Sequence, residues 1–147
     1  TDARGCLQVK GSITQQHWIT TNDLIELHDQ QQFRWLGRHD FVINSGGVKI
    51  SPEAVEVALE PLLAAAGFGG RFLVTSLPDE RLGERVVLLI EGARPSAAFE
   101  KNVLRQAALA LPLYQVPKAI YPIPAFAETP TGKIQRQAIR QFILKQR

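Results

Sequence analysis

A lysine in a proline- and glycine-rich loop could bring a positive charge to a phosphate group. Lys133 ends the run Pro130-Thr131-Gly132-Lys133, just ahead of a predicted final helix. The run lacks the earlier glycine that a phosphate-cradling P-loop requires, so we reject that interpretation. A flexible ammonium can still neutralise an anion, although most single loop lysines are only solvated surface charges. Taken alone, Lys133 leaves a catalytic and a purely structural interpretation open.

Two acids, an arginine and two glycines stand at predicted strand ends. Asp23 could accept two hydrogen bonds from a ribose diol, or it could be a turn residue that bonds its own backbone. Arg38 and Asp40 set a guanidinium beside a carboxylate, which is also the pattern of a surface ion pair of little energy. Gly46 and Gly47 could let a ligand approach the backbone, but tight turns use glycine for steric reasons alone. Each feature is ambiguous in isolation.

The elements that position these residues begin with short strands. Runs of β-branched and aromatic residues predict strands at Cys6–Val9, Trp18–Thr21, Leu24–Leu27 and Phe33–Leu36, with a polar hairpin tip at 28–32. So few strands are marginally stable in water. We therefore expect them to belong to a sheet or barrel whose remainder lies outside this chain. The polar run 37–40 predicts a break and a domain boundary.

The rest of the chain mixes helices with further strands. A hairpin is predicted at 41–50, followed by a helix capped by Ser51 and kinked or restarted at Pro61. The later elements are strands at 72–77, 85–90 and 118–121, helices at 97–111 and 136–145, and a loop at 127–132. This order predicts an α+β fold, in which a β-hairpin and a three-stranded sheet are packed by helices.

Composition narrows the function classes. The chain has 147 residues and a formal net charge of +3, without the Lys/Arg run that would favour a nucleic-acid partner. No apolar stretch approaches the roughly 20 residues that span a bilayer, so we expect no membrane partner. Cys6 is the only cysteine, which fits a reducing cytoplasm. Because no methionine starts the chain, we expect a fragment of something longer.

Four motifs in a fixed order change the odds for the ambiguous residues. The segment Trp18–Leu24 precedes Gly37-Arg38-His39-Asp40, which is followed at 43–56 by Ile-Asn-Ser-Gly-Gly-Val-Lys-Ile-Ser-Pro-Glu-Ala-Val-Glu. Residues 129–136 then read Thr-Pro-Thr-Gly-Lys-Ile-Gln-Arg. This series resembles the C-terminal third of the adenylate-forming superfamily, which includes acyl-CoA synthetases, nonribosomal peptide synthetase adenylation domains and firefly luciferase. The resemblance covers essentially the whole chain.

The resemblance implies a domain organisation and a reaction. Residues 1–37 would be the terminal strands of a large N-terminal adenylating domain, and 38–147 would be the small C-terminal lid domain. In the family, a carboxylic acid attacks the α-phosphate of ATP to give an acyl-adenylate, and a thiol, usually that of coenzyme A, then displaces AMP. ATP, coenzyme A and Mg²⁺ are the implied cofactors, although the sequence shows no metal ligands. Without the large domain, we expect the isolated chain to be inactive.

The same resemblance assigns a role to each residue. Asp23 matches the acid that binds the ribose hydroxyls, and Arg38 matches the arginine that contacts ribose or phosphate. Asp40 matches the hinge about which the lid turns. Gly46 and Gly47 match the loop that lines the pantetheine tunnel. Lys133 matches the lysine needed for adenylation, where an ammonium can offset the charge that develops as two anions meet.

Local departures bear on the subfamily. The usual Thr-Gly-Asp is Thr21-Asn22-Asp23 here, and Phe41 follows the hinge acid where a polar residue is common, whereas Lys49 keeps the usual cation. The combination of Thr-Asn-Asp-Leu at 21–24 with Val-Ile-Asn-Ser-Gly-Gly-Val-Lys-Ile at 42–50 is similar to that of some o-succinylbenzoate–CoA ligases of menaquinone synthesis. Two alternatives stay open, namely an adenylation domain that loads a carrier protein and a non-catalytic lid-like binding module. The acid itself cannot be read from this chain, because its pocket would lie in the large domain.

Overall fold

The computed structural model describes residues 1–29 and 32–146, which form two compact units. Unit 1 is Thr1–Val42 and unit 2 is Ile43–Arg147. In unit 1, β1 (Cys6–Val9), β2 (Ile19–Leu27) and β3 (Phe33–Arg38) form an antiparallel sheet in the order β1-β2-β3. A 3-10 turn at His39–Phe41 follows.

Strand β2 corrects two predictions. The segments expected to be separate strands form one strand through Asp23, because β2 pairs with β1 on one side and β3 on the other. Gly37 and Arg38, expected in a polar break, belong to β3 and face Leu24 and Asp23. The β2–β3 hairpin itself is confirmed. Two residues of its predicted tip, 30 and 31, lie outside the described residues.

Unit 2 contains the remaining elements in the predicted order. They are β4 (Ile43–Ser45), β5 (Val48–Ile50), α1 (Pro52–Ala65), β6 (Phe72–Asp79), β7 (Gly83–Glu91), α2 (Ala97–Ala110), β8 (Ile120–Ile123) and α3 (Arg136–Lys145). The strand order is β5-β4-β7-β6, and β8 pairs in parallel with β7. The predicted hairpin and three-stranded sheet are joined by one bridge, Ser45 to Gly83. The α+β fold class is confirmed.

The sheet of unit 2 carries apolar side chains on both faces. Successive residues of a strand point to opposite faces, so the continuous apolar run of β7 supplies two cores. Val86, Leu88 and Ile90 pack with α1 and α2. The alternate residues Val87 and Leu89 pack with α3. This two-sided burial fixes α3, and with it the end of the loop that carries Lys133.

Local signals explain where α1 begins and ends. The Ser51 hydroxyl accepts a hydrogen bond from the Ala54 N–H at 3.2 Å, which satisfies a donor left free in the first turn. The helix continues through Pro61 as one element, so the predicted restart is wrong. After Ala65, Gly67 takes a φ of +81°, a left-handed conformation that ends helices.

Candidate functional site

Three of the sequence-predicted residues meet in unit 1. Asp23 and Arg38 are partners in the β2–β3 register, and the Arg38 Nη1 lies 3.5 Å from the Asp23 Oδ1. The same guanidinium donates from Nη2 to the Asp40 Oδ2 at 3.0 Å. The Asp23 side chain is 32% exposed, so it remains open to solvent. One arginine therefore bridges two carboxylates, of which Asp23 lies in a strand rather than in a turn.

Two further side chains join this cluster. The Trp35 Nε1–H donates to the Asp23 Oδ1 at 3.4 Å, and the Asn22 amide donates to the Asp40 Oδ2 at 3.0 Å. Sequence reasoning did not identify Trp35. The sequence holds a signal for this contact, because aromatic and acidic side chains on neighbouring strands of a hairpin can reach each other. The strand register is needed to decide which of them do. Asn22, noted only as a departure from the family pattern, contacts the predicted hinge acid.

The two glycines form the turn between β4 and β5. Gly46 has a φ of +59° and Gly47 a φ of +82°, which side-chain-bearing residues rarely adopt. A Cβ on Gly46 would lie 2.6 Å from the Tyr114 Cε1, whereas a Cβ on Gly47 would meet nothing within 4 Å. The turn is therefore packed against Tyr114 on one side and open on the other. Tyr114 was not identified from the sequence.

Lys133 lies in a short loop that is closed at its base. A bridge pairs Glu128 with Ile134, and the Thr129 N–H donates to the Lys133 carbonyl oxygen at 2.8 Å. The Lys133 N–H donates in turn to the Thr129 Oγ1 at 3.1 Å. The side chain is exposed, and no described residue forms a hydrogen bond or ion pair with its ammonium. The backbone at Lys133 is thus held while its ammonium is exposed to solvent.

The helix after this loop is tied to the rest of unit 2. Arg136 donates to both carboxylate oxygens of Glu56, at 2.8 and 2.6 Å. Both side chains are more than four-fifths buried. The Glu56 carboxylate also accepts from the Val74 N–H at 2.7 Å, so α1, β6 and α3 share one fork-shaped contact.

The carboxyl whose pKa moves furthest in unit 2 belongs to Glu91. Hydrogen bonds from the Arg71 guanidinium, and then from the Phe126 N–H, lower the pKa of Glu91 from 4.5 to about 2. The same pairing raises the pKa of Arg71. Both groups therefore stay charged at neutral pH, close to the start of the lysine loop.

Among residues 1–29 and 32–146, no three histidine, cysteine or acidic side chains are grouped so as to hold a metal ion. No helix in that part is long and apolar enough to cross a bilayer.

The alignments with known proteins cover most of this chain. No family model matches it. It is 33% identical over 135 residues to 2-hydroxy-7-methoxy-5-methyl-1-naphthoate–CoA ligase of Streptomyces carzinostaticus, an alignment that covers 88% of this chain and 23% of the relative. The chain therefore spans less than a quarter of that relative's length.

Solved structures agree with this likeness. An acyl-CoA synthetase (AMP-forming)/AMP-acid ligase II-like protein from Dyadobacter fermentans is 38% identical with a TM-score of 0.68, covering 97% of this chain and 40% of that one. A variant of E. coli MenE with bound OSB-AMS is 25% identical with a TM-score of 0.63, covering 88% and 27%. Over most of its length the chain is thus similar to adenylate-forming CoA ligases, and its α+β fold matches the C-terminal domain of acyl-CoA synthetase-like structures.

Proposed function

We propose that the chain is the C-terminal part of an ATP-dependent carboxylic acid–CoA ligase. The observation that carries the proposal is the exposed Lys133 ammonium, which no described residue engages, on a loop whose base is hydrogen-bonded. A group placed in this way is ready to contact an external anion. The CoA-ligase names of the relatives make the acid and the nucleotide the natural anions.

In the first half-reaction, a carboxylate oxygen of the acid bonds to the α-phosphorus of ATP and pyrophosphate leaves. Lys133 would touch both anions and stabilise the charge that develops between them. The exposed Asp23 carboxylate would accept hydrogen bonds from the ribose hydroxyls, while Arg38, held between two acids, would lie beside the ribose or phosphate. The described residues do not supply a metal site, so Mg²⁺ enters the proposal only as the companion ion of ATP.

In the second half-reaction, the coenzyme A sulfur bonds to the acyl carbon and AMP leaves. The open side of the Gly46–Gly47 turn would let the pantetheine arm pass close to the backbone. Residues 38–147 would act as a lid that turns about Asp40, which lies two positions before the end of unit 1. Residues 1–37 would complete the sheet of a large N-terminal domain. Such a turn would carry Lys133 out of the site between the two steps, which is a gating role.

We further propose o-succinylbenzoate as the acid, which would place the enzyme in menaquinone synthesis. Two observations support this finer step. The combination of Thr-Asn-Asp-Leu at 21–24 with Val-Ile-Asn-Ser-Gly-Gly-Val-Lys-Ile at 42–50 resembles that of some o-succinylbenzoate–CoA ligases. MenE with bound OSB-AMS is also among the structural neighbours. A small-molecule acid and coenzyme A would then be the partners, in the cytoplasm.

The half-reactions of the full-length protein test this assignment. ATP–pyrophosphate exchange with o-succinylbenzoate measures adenylation, and thioester formation from premade o-succinylbenzoyl adenylate measures the second step. Lys133→Ala should slow the exchange by about 10²–10³-fold, as expected for one lost charge contact in a transition state, and should spare the second step. Lys101→Ala, an exposed lysine on α2, is the matched control and should change neither rate.

Each remaining outcome has a defined meaning. Equal loss of both steps in Lys133→Ala would contradict the assigned role. Exchange with other acids but not with o-succinylbenzoate would remove only the finer proposal. Thioester formation on a phosphopantetheinyl carrier instead of coenzyme A would identify a carrier-loading enzyme. Sub-micromolar ATP binding by the isolated chain, without exchange activity in the full-length protein, would identify a binding module.

A further inference from the structure

A charged network lies beneath the lysine loop and joins three separate segments of unit 2. Arg71, immediately before β6, donates from Nε and Nη2 to the two carboxylate oxygens of Glu91 at the end of β7, both at 2.6 Å. Its remaining nitrogen, Nη1, contacts the Glu128 carboxylate. One guanidinium therefore connects the edge of the sheet to the first residue of the bridge that closes the lysine loop.

The same network holds the chain just before that bridge. The Glu91 Oε1 accepts a hydrogen bond from the Phe126 N–H at 2.7 Å. The Phe126 ring is 5% exposed in the α3-side core, and the Arg71 guanidinium lies 5.8 Å from its centroid. Glu91 thus holds the backbone N–H of Phe126, and Arg71 holds the side chain of Glu128, one on each side of Ala127.

From Glu128 the constraint passes directly to the lysine. The Gln135 amide donates to the Glu128 carbonyl oxygen at 2.8 Å, and the Gln135 N–H donates to the Ala127 carbonyl oxygen at 2.8 Å. Between these contacts, Lys133 is bonded to Thr129 at both its N–H and its carbonyl group. The loop that carries Lys133 is therefore bonded at its base to the two residues, Ala127 and Glu128, that adjoin the Arg71 contacts.

We infer that Arg71 and Glu91 are positioning residues for Lys133, a role that rests on the proposed function of that lysine. Surface ion pairs usually add little to stability. This network differs because its arginine binds Glu91 with two parallel hydrogen bonds, which adds directional precision. Since a small misplacement of a reacting group can cost about 10²-fold in rate, the network affects the reaction through the position of the ammonium.

Hydrogen–deuterium exchange on the full-length protein tests the structural half of the inference. In Arg71→Gln, the amides of Thr129, Lys133 and Gln135 should exchange about tenfold faster or more, because a charged contact at the loop base is lost. The amides of α2 should be unchanged. Arg94→Gln is the matched control, because Arg94 is 74% exposed and pairs with Glu100 at 3.5 Å. Unchanged exchange in the loop of Arg71→Gln would overturn the inference.

The half-reactions test the catalytic half. Arg71→Gln and Glu91→Gln should each slow ATP–pyrophosphate exchange with o-succinylbenzoate by about ten- to a hundredfold and leave the second step from premade adenylate unchanged. Arg71→Lys keeps the charge but not the two-pronged geometry, so its exchange rate should be intermediate. The double variant should be no slower than the slower single variant, because both substitutions break one unit.

The failures of the two proposals are distinguishable. A looser loop with a normal adenylation rate would overturn the positioning role, as would an equal slowing of both half-reactions, which indicates general destabilisation. If the unsubstituted protein catalysed no ATP–pyrophosphate exchange with any carboxylic acid, the proposed function would fail, and the catalytic half of the inference would fail with it. The amide exchange rates would still decide whether Arg71 and Glu91 hold the loop.

Discussion

The two units of the chain bury their apolar side chains to very different extents. In unit 2, β7 alone contributes Val87, Leu88 and Leu89, each with 0% exposure, to cores on both faces of the sheet. In unit 1, Trp18 is 65% exposed and Trp35 is 50% exposed. Unit 2 therefore has a core on each face of its sheet, whereas the two tryptophans of unit 1 stay half or more exposed.

The charged residues differ in the same way. Unit 1 sets Asp23, Arg38 and Asp40 against one another, so its proposed ligand-binding groups are held in place by their own pairing. Unit 2 presents Lys133 without a partner among the described residues, on a loop braced from below. A group that holds a substrate through several steps profits from being fixed in a sheet.

The largest expected effect compares one buried and one exposed side chain. Leu88→Ala should lower the free energy of unfolding of the chain by about 2–5 kcal/mol, because it removes a fully buried side chain and leaves a cavity. Trp35→Ala should cost much less, since half of its ring already contacts water. Urea denaturation of both variants, followed by far-UV circular dichroism, measures the two losses. Equal losses would show that unit 1 is packed as tightly as unit 2.

The next effect compares the two glycines of the β4–β5 turn. Gly47→Ala meets open space, so it should cost only the strain of a positive φ, about 1 kcal/mol. Gly46→Ala should cost more, because its Cβ would lie 2.6 Å from the Tyr114 ring. Urea midpoints give the two values. Adding Tyr114→Ala should reduce the destabilisation caused by Gly46→Ala and leave that caused by Gly47→Ala unchanged. If the effect of Gly46→Ala were not reduced, the turn would be loosely packed against Tyr114.

How far the sequence predicts the fold depends on the range of the signals. The helix α1 begins where Ser51 and Pro52 predict it, because a cap acts within one turn of chain. β2 was missed as a single strand since Asn22 and Asp23 resemble a turn locally, whereas β2 pairs with β1 on one side and β3 on the other. β8 was predicted two residues early, because its parallel register with β7 fixes its bounds. Non-local pairing overrides local preference in both cases.

The candidate site shows the same division. The motifs identify residue types and order, and so point to Asp23, Arg38 and Lys133, whose roles remain predictions. They do not identify what braces those residues. Trp35 reaches Asp23 across 12 positions of chain, and Arg71 reaches Glu128 across 57. Such contacts depend on strand register and on loop position, neither of which is encoded in a short run of residues.

A smaller effect should separate the proposed role of Asp23 in ATP binding from the proposed role of Lys133 in the rate of adenylation. In the full-length protein, Asp23→Asn should raise the KM for ATP about tenfold, the size expected for a lost charged hydrogen bond, with little change in kcat. Arg38 would keep Asp40 as its partner, so the cluster should persist. Glu26→Gln is the control on the same strand, because Glu26 pairs with Arg34 and has no proposed role. An unchanged KM in Asp23→Asn would break the proposed division of labour.

The smallest effect comes from one acid in each unit whose pKa is lowered in the folded chain. Hydrogen bonding by the Cys6 N–H lowers the pKa of Asp2 from 3.8 to about 2. Arg71 is the main cause that lowers the pKa of Glu91 from 4.5 to about 2. A lowered folded pKa stabilises the fold above the unfolded value, and this stabilisation is lost as the pH falls towards the folded value. Acid should therefore weaken unit 1 below pH 3.8 and unit 2 from pH 4.5.

Substituting each of the two acids separately shows which unit loses stability in acid. Glu91→Gln cannot ionise, so the urea midpoint of unit 2 should fall less steeply between pH 4.5 and about 2 than in the unchanged chain. Asp2→Asn should flatten only the response of unit 1, monitored by the fluorescence of Trp18 and Trp35, the two tryptophans, both of which lie in that unit. Glu60→Gln, an exposed carboxyl on α1, is the control. If the Glu91→Gln chain kept the full acid sensitivity, the ionised Glu91 carboxylate would not stabilise unit 2. The Arg71 network would then affect only the position of the lysine loop.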